Sequence, residues 1–201
     1  MRKIELEEIL PLAEYEEVRE AFRKEIIAEK KRRRIEVGPT LSLTFENRET
    51  LRFQIQEMLR AERITEAEKI QEEIDVYNDL IPGPGELSAT LFIEITEEEK
   101  IQKTLDRLKG IDRGEQVFLQ IGKKKKIPAI FEGGRSTEEK ISAVHFLRFK
   151  LGQTVIETFR SEPENHLVIE YPNYKERALI SAEMKKALLE DLDQGEEEQS
   201  L

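Results

Sequence analysis

Residues 116–121 and 127–131 both read as short apolar strands, and between them lie Gly122 and four lysines, Lys123, Lys124, Lys125 and Lys126. A parallel crossover takes a dozen residues or more, so this connection forces an antiparallel hairpin. A wholly parallel, doubly wound sheet is thereby excluded. The rest of the chain mixes strands and helices without a strict βαβ rhythm, which makes the class α+β, with a mixed or largely antiparallel sheet of about five to six strands.

A long helix is expected over residues 6–34, with Pro11 near its start and Val18, Phe22, Ile26 and Ile27 facing inward. Lys30, Lys31, Arg32, Arg33 and Arg34 close it, where cations complement the negative end of the helix dipole, before Gly38 and Pro39 break the chain. Residues 40–45 alternate as a strand with one buried face, and Asn47 then caps a helix over 48–64 whose stripe is Leu51, Ile55, Met58 and Leu59. A helix over 67–76, a Pro/Gly turn at 82–85, a strand at 87–95 and a helix at 97–109 precede the hairpin. After it come a strand at 141–151, a helix at 153–160, a strand at 166–171 ended by Pro172, and a last helix over 175–192. Residues 1–192 are expected to form one domain, followed by an acidic, disordered tail at 193–201.

Composition removes whole branches of chemistry. The chain has no cysteine, so disulfides, thiolate-bound zinc, iron–sulfur ligation by this chain and cysteine nucleophiles are out. Its formal net charge of −10 disfavours nucleic acid and anionic membranes as partners. The start, Met1, Arg2, Lys3, Ile4, Glu5, has no apolar signal core, and no stretch approaches the roughly 18 apolar residues that span a bilayer. A cytoplasmic location is the expectation.

Against that acidic background, basic residues cluster. Arg48, Arg52 and Arg60 fall at multiples of four on one helix and form a ridge able to grip phosphate, carboxylate or an acidic partner. Pairing with Glu49, Glu57 and Glu62 is the competing account. Lys123, Lys124, Lys125 and Lys126 sit at the hairpin tip, either as a solvated, aggregation-resisting turn or as a docking contact. His145 shares a strand face with Ile141, Ala143, Leu147 and Phe149, which suits a hydrogen-bonded core residue, or a general base or metal ligand if that face lines a pocket. Arg148 lies on the opposite face. His166 is the other histidine, and with no Glu-x-x-His pairs neither a metal site nor any cofactor is expected. Carboxylate pairs such as Glu57 with Glu62, or Glu72 with Glu73, favour a solvated helix face. Asp112 to Gly114, and Gly133, Gly134 and Arg135, read as loops without phosphate-loop spacing.

Several segments together resemble a bacterial and archaeal family, the domain of unknown function numbered 3501. They are Ile9, Leu10, Pro11 and Tyr15; the basic run into Val37, Gly38 and Pro39; Phe45, Glu46, Asn47 and Arg48 through Gln54, Ile55, Gln56, Glu57 and Met58; Tyr77, Asn78, Ile81 and Pro82; residues 142–149; and Tyr171, Pro172, Asn173 and Tyr174. The resemblance names no activity. It implies company with rubrerythrin-like proteins and cysteine-rich iron–sulfur oxidoreductases, hence a place in redox or peroxide defence. A chain without cysteine or a di-iron motif would there be a non-catalytic accessory or docking component. The alternative is an enzyme or sensor that binds a phosphorylated or carboxylated small molecule between the Arg48 helix and the strand of His145.

Overall fold

The computed structural model describes residues 1–133, 136 and 141–197, of which 196 and 197 by backbone alone; Gly134, Arg135 and residues 198–201 of the expected loop and tail lie outside this set. A 3-10 turn at Leu6–Glu8 leads to α1 (Leu12–Arg33), which is made of good helix formers and begins directly after Pro11, where a missing N–H costs nothing. Its buried positions are Tyr15, Ile26 and Arg33, whereas Val18 and Ile27 are 44% and 54% exposed. The inward stripe is therefore rotated from the expected one and ends on a guanidinium. The basic run does not simply close a helix: α1 passes without a loop into β1 (Arg34–Val37).

β2 (Leu41–Glu46) returns antiparallel to β1 and is followed by α2 (Arg48–Glu62), α3 (Ala67–Asn78), β3 (Glu86–Ile93) and α4 (Ile101–Leu108). Then come β4 (Val117–Ile121), β5 (Lys125–Pro128), β6 (Ile130–Phe131), β7 (Val144–Lys150), α5 (Gln153–Ser161), β8 (Asn165–Tyr171), β9 (Tyr174–Leu179) and α6 (Ala182–Glu197). The α+β class holds, but the strands form two sheets rather than one: β1-β2-β3-β7-β6 and β5-β4-β8-β9, with every pairing antiparallel.

Three differences from the sequence reading have physical causes. The expected second hairpin strand is split, because after Pro128 the chain leaves β4 and enters the other sheet as β6 beside β7. The segment expected to open the last helix, Tyr174 to Leu179, is β9; the two-residue turn at Pro172 and Asn173 folds it back on β8, and pairing overrides the helix propensity of Lys175, Glu176, Arg177 and Ala178. The last helix starts later, at Ala182, and runs to Glu197, so the stretch expected to be disordered from 193 is helical that far.

Inward residues of both sheets meet in one cluster that includes Leu43, Phe45, Leu91, Leu147 and Phe149 from the first sheet and Val117, Leu119, Leu167 and Ile169 from the second. Ile156 and Phe159 of α5, and Met184, Leu188 and Leu192 of α6, complete it. Phe45 and Phe149 lie 6.1 Å apart, and burying each ring is worth about 1.5–3 kcal/mol. The sheets also join at their seams. Ala129 N donates to Val117 O at 2.8 Å on one side, and Tyr174 Oη donates to Val37 O at 2.6 Å on the other.

The two outer faces differ. β2 is buried along its whole length, on both faces, because the helices cover Ser42, Thr44 and Glu46. Glu46 there accepts from Thr50 Oγ1 and Thr90 Oγ1, both at 2.6 Å, so its burial is hydrogen-bonded. A second apolar cluster, of Leu51, Ile55, Leu59, Ile74 and Ile81 with Ile4 and Ile9, binds α2, α3 and the N-terminal segment together. The outer face of the second sheet carries Phe118, Gln120, Lys126, His166, Val168, Glu170, Lys175, Arg177 and Leu179, and among the described residues no helix packs across it. Among the described residues no helix is long and apolar enough to cross a membrane.

Candidate functional site

Asn47 starts α2 as expected: its side chain accepts from Thr50 N at 3.0 Å, and Thr50 Oγ1 accepts from Asn47 N at 3.0 Å. This reciprocal cap fixes where Arg48, Arg52 and Arg60 emerge. Arg48 donates to both oxygens of Glu8, to Glu49 at 3.3 Å and to the Arg2 carbonyl at 3.1 Å. Arg52 donates through Nη2 to Glu49 at 2.7 Å and stands over the Phe22 ring at 5.1 Å. Arg60 turns away to Glu16 of α1 at 2.7 Å. Glu57, the expected partner within α2, is taken instead by Arg19 at 2.7 and 2.9 Å and by Tyr15 Oη at 2.8 Å. Arg19 holds its carboxyl below the usual carboxylate range.

Arg48 and Arg52 line a cleft of about 520 Å³ between α1, α2 and α6, together with Glu29, Arg32, Arg33, Glu190 and Asp191. Its floor is an ion-pair network. The Arg33 side chain, 2% exposed, donates to both carboxylate oxygens of Asp191 and to Glu29, and Asn47 Nδ2 donates to Glu29 at 3.0 Å. Burial pushes the Asp191 carboxyl up against the pull of Arg33. Burial also acts on Glu29, but the hydrogen bonds from Arg32 and Arg33 outweigh it and hold that carboxyl low. A smaller cavity of about 180 Å³ adjoins the cleft through Phe22 and Arg52, lined also by Glu8, Leu10, Val18 and Gln56. Gln56 is fixed by accepting from Leu10 N at 2.8 Å and donating to Leu10 O at 3.0 Å.

His145 is fully buried on the inner face of the first sheet. Its Nε2 lies 2.8 Å from Ser142 O, its Nδ1 3.8 Å from Asp112 Oδ2, and its ring is edge-on to Phe131 at 5.9 Å. The arginines of α2 lie over the other face, so the structure does not bring His145 and the arginine ridge into one pocket. Arg148, on the opposite face as expected, donates to Glu86 at 3.0 Å. Among the described residues, no group of three or more His, Asp or Glu is placed to hold a metal ion.

The lysines divide. Lys123 and Lys124 are exposed in the turn, Lys125 begins β5, and Lys126 projects over the Phe118 ring at 5.2 Å and bonds Glu170 at 2.5 Å. On the same sheet face Arg177 Nη2 donates to His166 Nε2 at 2.8 Å; burial and this cation both lower the histidine's pKa, which keeps the ring neutral. Sequence reasoning missed Arg33, Asp191, Lys175 and Arg177. Arg33 carried a readable signal, since it extends the Tyr15, Phe22, Ile26 spacing by seven residues, whereas Asp191 comes from the far end of the chain.

The chain belongs to the family described as protein of unknown function (DUF3501), whose pattern matches residues 3–192. It is similar to a solved structure from Burkholderia pseudomallei K96243, described as a novel protein of unknown function, with 36% identity and a TM-score of 0.88 over 96% of this chain and 100% of that one. No curated protein matches.

Proposed function

We propose that this DUF3501 member is a non-catalytic binding component of a redox or peroxide-defence system. It docks an acidic iron–sulfur oxidoreductase or rubrerythrin-like partner through the outer face of the second sheet. The partner class comes from the family resemblance. The observation that carries the face is charge: Lys126, Lys175 and Arg177 stand against the single carboxylate of Glu170, and Lys123 and Lys124 extend the basic surface at the turn, on a chain of net charge −10. Half-buried Phe118 and Leu179, which is 57% exposed, add apolar surface beside these charges, a mixture found at protein interfaces. Complementary charge of this kind speeds encounter and suppresses wrong partners, and salt screens it.

The test uses the full chain with a purified iron–sulfur oxidoreductase and a rubrerythrin-like protein from the same organism. At low salt one of them should bind, and binding should weaken as salt is raised. Charge reversal by Lys123→Glu with Lys124→Glu should cost about tenfold in affinity, or about 1.4 kcal/mol. Binding that neither salt nor these substitutions changes, or no binding at low salt, would sink the reading.

A further inference from the structure

We infer that the paired cavities along α1 and α2 form a binding site for a small monocarboxylate with a compact apolar body, the carboxylate on Arg52 and the body among Leu10, Val18 and Phe22. The site is distinct from the sheet face and does not depend on it.

The argument starts from how the cleft's arginines are spent. Arg33 uses Nε, Nη1 and Nη2 on Glu29 and Asp191. Arg32 uses all three nitrogens on Glu29 and Glu190, and Arg48 uses all three on Glu8, Glu49 and two backbone carbonyls. Arg52 is different: Nη2 alone donates, to Glu49, and its Nε is shut off from solvent with no hydrogen-bond partner. Glu49 meets only part of its charge and 31% of the side chain is exposed, so Arg52 is the cleft arginine with donor capacity to spare for the oxygens of an anion. Glu8, the carboxylate that faces the same small cavity, is already bridged by Arg48 and Arg2 and makes no bond to Arg52.

The surroundings set the ligand class. The small cavity, about 180 Å³, presents Leu10, Val18 and Phe22 beside Glu8, Arg52 and Gln56, and Val18 is 44% exposed. A void of roughly 150 Å³ with apolar walls admits a benzene ring, so this one has room for a single ring or a short branched chain. Glu25, Glu29 and Glu49 line the neighbouring cleft, so a dianionic phosphate would meet more repulsion than a carboxylate of single charge. This narrows the anion from the classes the helix ridge alone suggests, and it leaves Arg60 and His145 outside the site.

Benzoate is the probe, with benzamide as its uncharged counterpart, and the readout is the arginine Nε–H signals of the isotope-labelled full chain by NMR. Benzoate should shift one Nε–H signal saturably, benzamide should bind at least about tenfold more weakly, and Arg52→Gln should lose both that signal and the binding. Val18→Glu, at an exposed position, should weaken benzoate about tenfold, while Lys123→Glu with Lys124→Glu should leave it unchanged. No saturable shift up to about 10 mM, or benzamide binding as well as benzoate, would overturn the site without any variant having to fold.

Discussion

Asp191 and Arg33 are joined by two charge-assisted hydrogen bonds between helices 158 positions apart in the sequence. Asp191→Ala leaves a guanidinium whose side chain is 2% exposed with Glu29 as its remaining carboxylate and two donors unpaired, and should cost about 3–5 kcal/mol in urea unfolding. Arg33→Met combined with Asp191→Leu should cost less than either partner's removal alone, because the one charge that loses a partner, Glu29, keeps Arg32. Asn47→Ala removes the α2 cap and should cost about 1 kcal/mol by the same measurement, beyond which Glu29 loses a donor. These residues also show what one chain's letters disclose. Asn47 was legible because a cap acts within three residues of itself. Arg48 and Arg52 were legible as neighbours because four residues make one helical turn, but their partners Glu8 and Phe22 come from other segments.

Between elements, α1 is fastened to α2 by the edge-on Phe22 and Phe53 rings and by charged contacts, Arg19 and Tyr15 on Glu57 and Arg60 on Glu16. Glu57 ionises more readily in the fold than its ordinary 4.5, so its contribution is present above that value and is lost as pH falls through the depressed folded value. Amides of α1 should therefore exchange faster than those of β3 and β7 once the pH drops below about 4.5; equal acceleration in all three would refute this. The elements best read from sequence, α2, α3 and β8, are those whose pattern is set by one neighbouring layer. β1 and β9 were missed because four residues carry too little alternation in the first, and strong helix formers fill the second. In both, the strand state comes from hydrogen bonds to a partner strand, which local propensity does not register.

At the scale of the molecule, the two sheets meet where the β1–β2 turn touches β9. Gly38 has φ +76°, and a Cβ there would lie 2.5 Å from Tyr174 Oη and 2.6 Å from Glu176 Cγ. Gly38→Ala should lower stability by about 1–3 kcal/mol through strain and collision together, and Tyr174→Phe, which deletes the bond to Val37 O without collision, by about 0.5–1.5 kcal/mol. A loss from Gly38→Ala no larger than from an exposed substitution would argue against a tight seam. The antiparallel α+β class followed from the length of one connection, but the division into two sheets did not, since the apolar run 127–131 reads as one strand and Pro128 inside it acts as a corner. That closing bond, between Val37 and Tyr174, spans 137 positions. A chain emerging from the ribosome therefore carries β1, β2 and β3 for many seconds, at about 5–20 residues per second, before the strand that shuts the seam exists. Until then the strand edges stay open to wrong partners, and a chain stopped before Tyr174 should aggregate rather than work as a smaller protein.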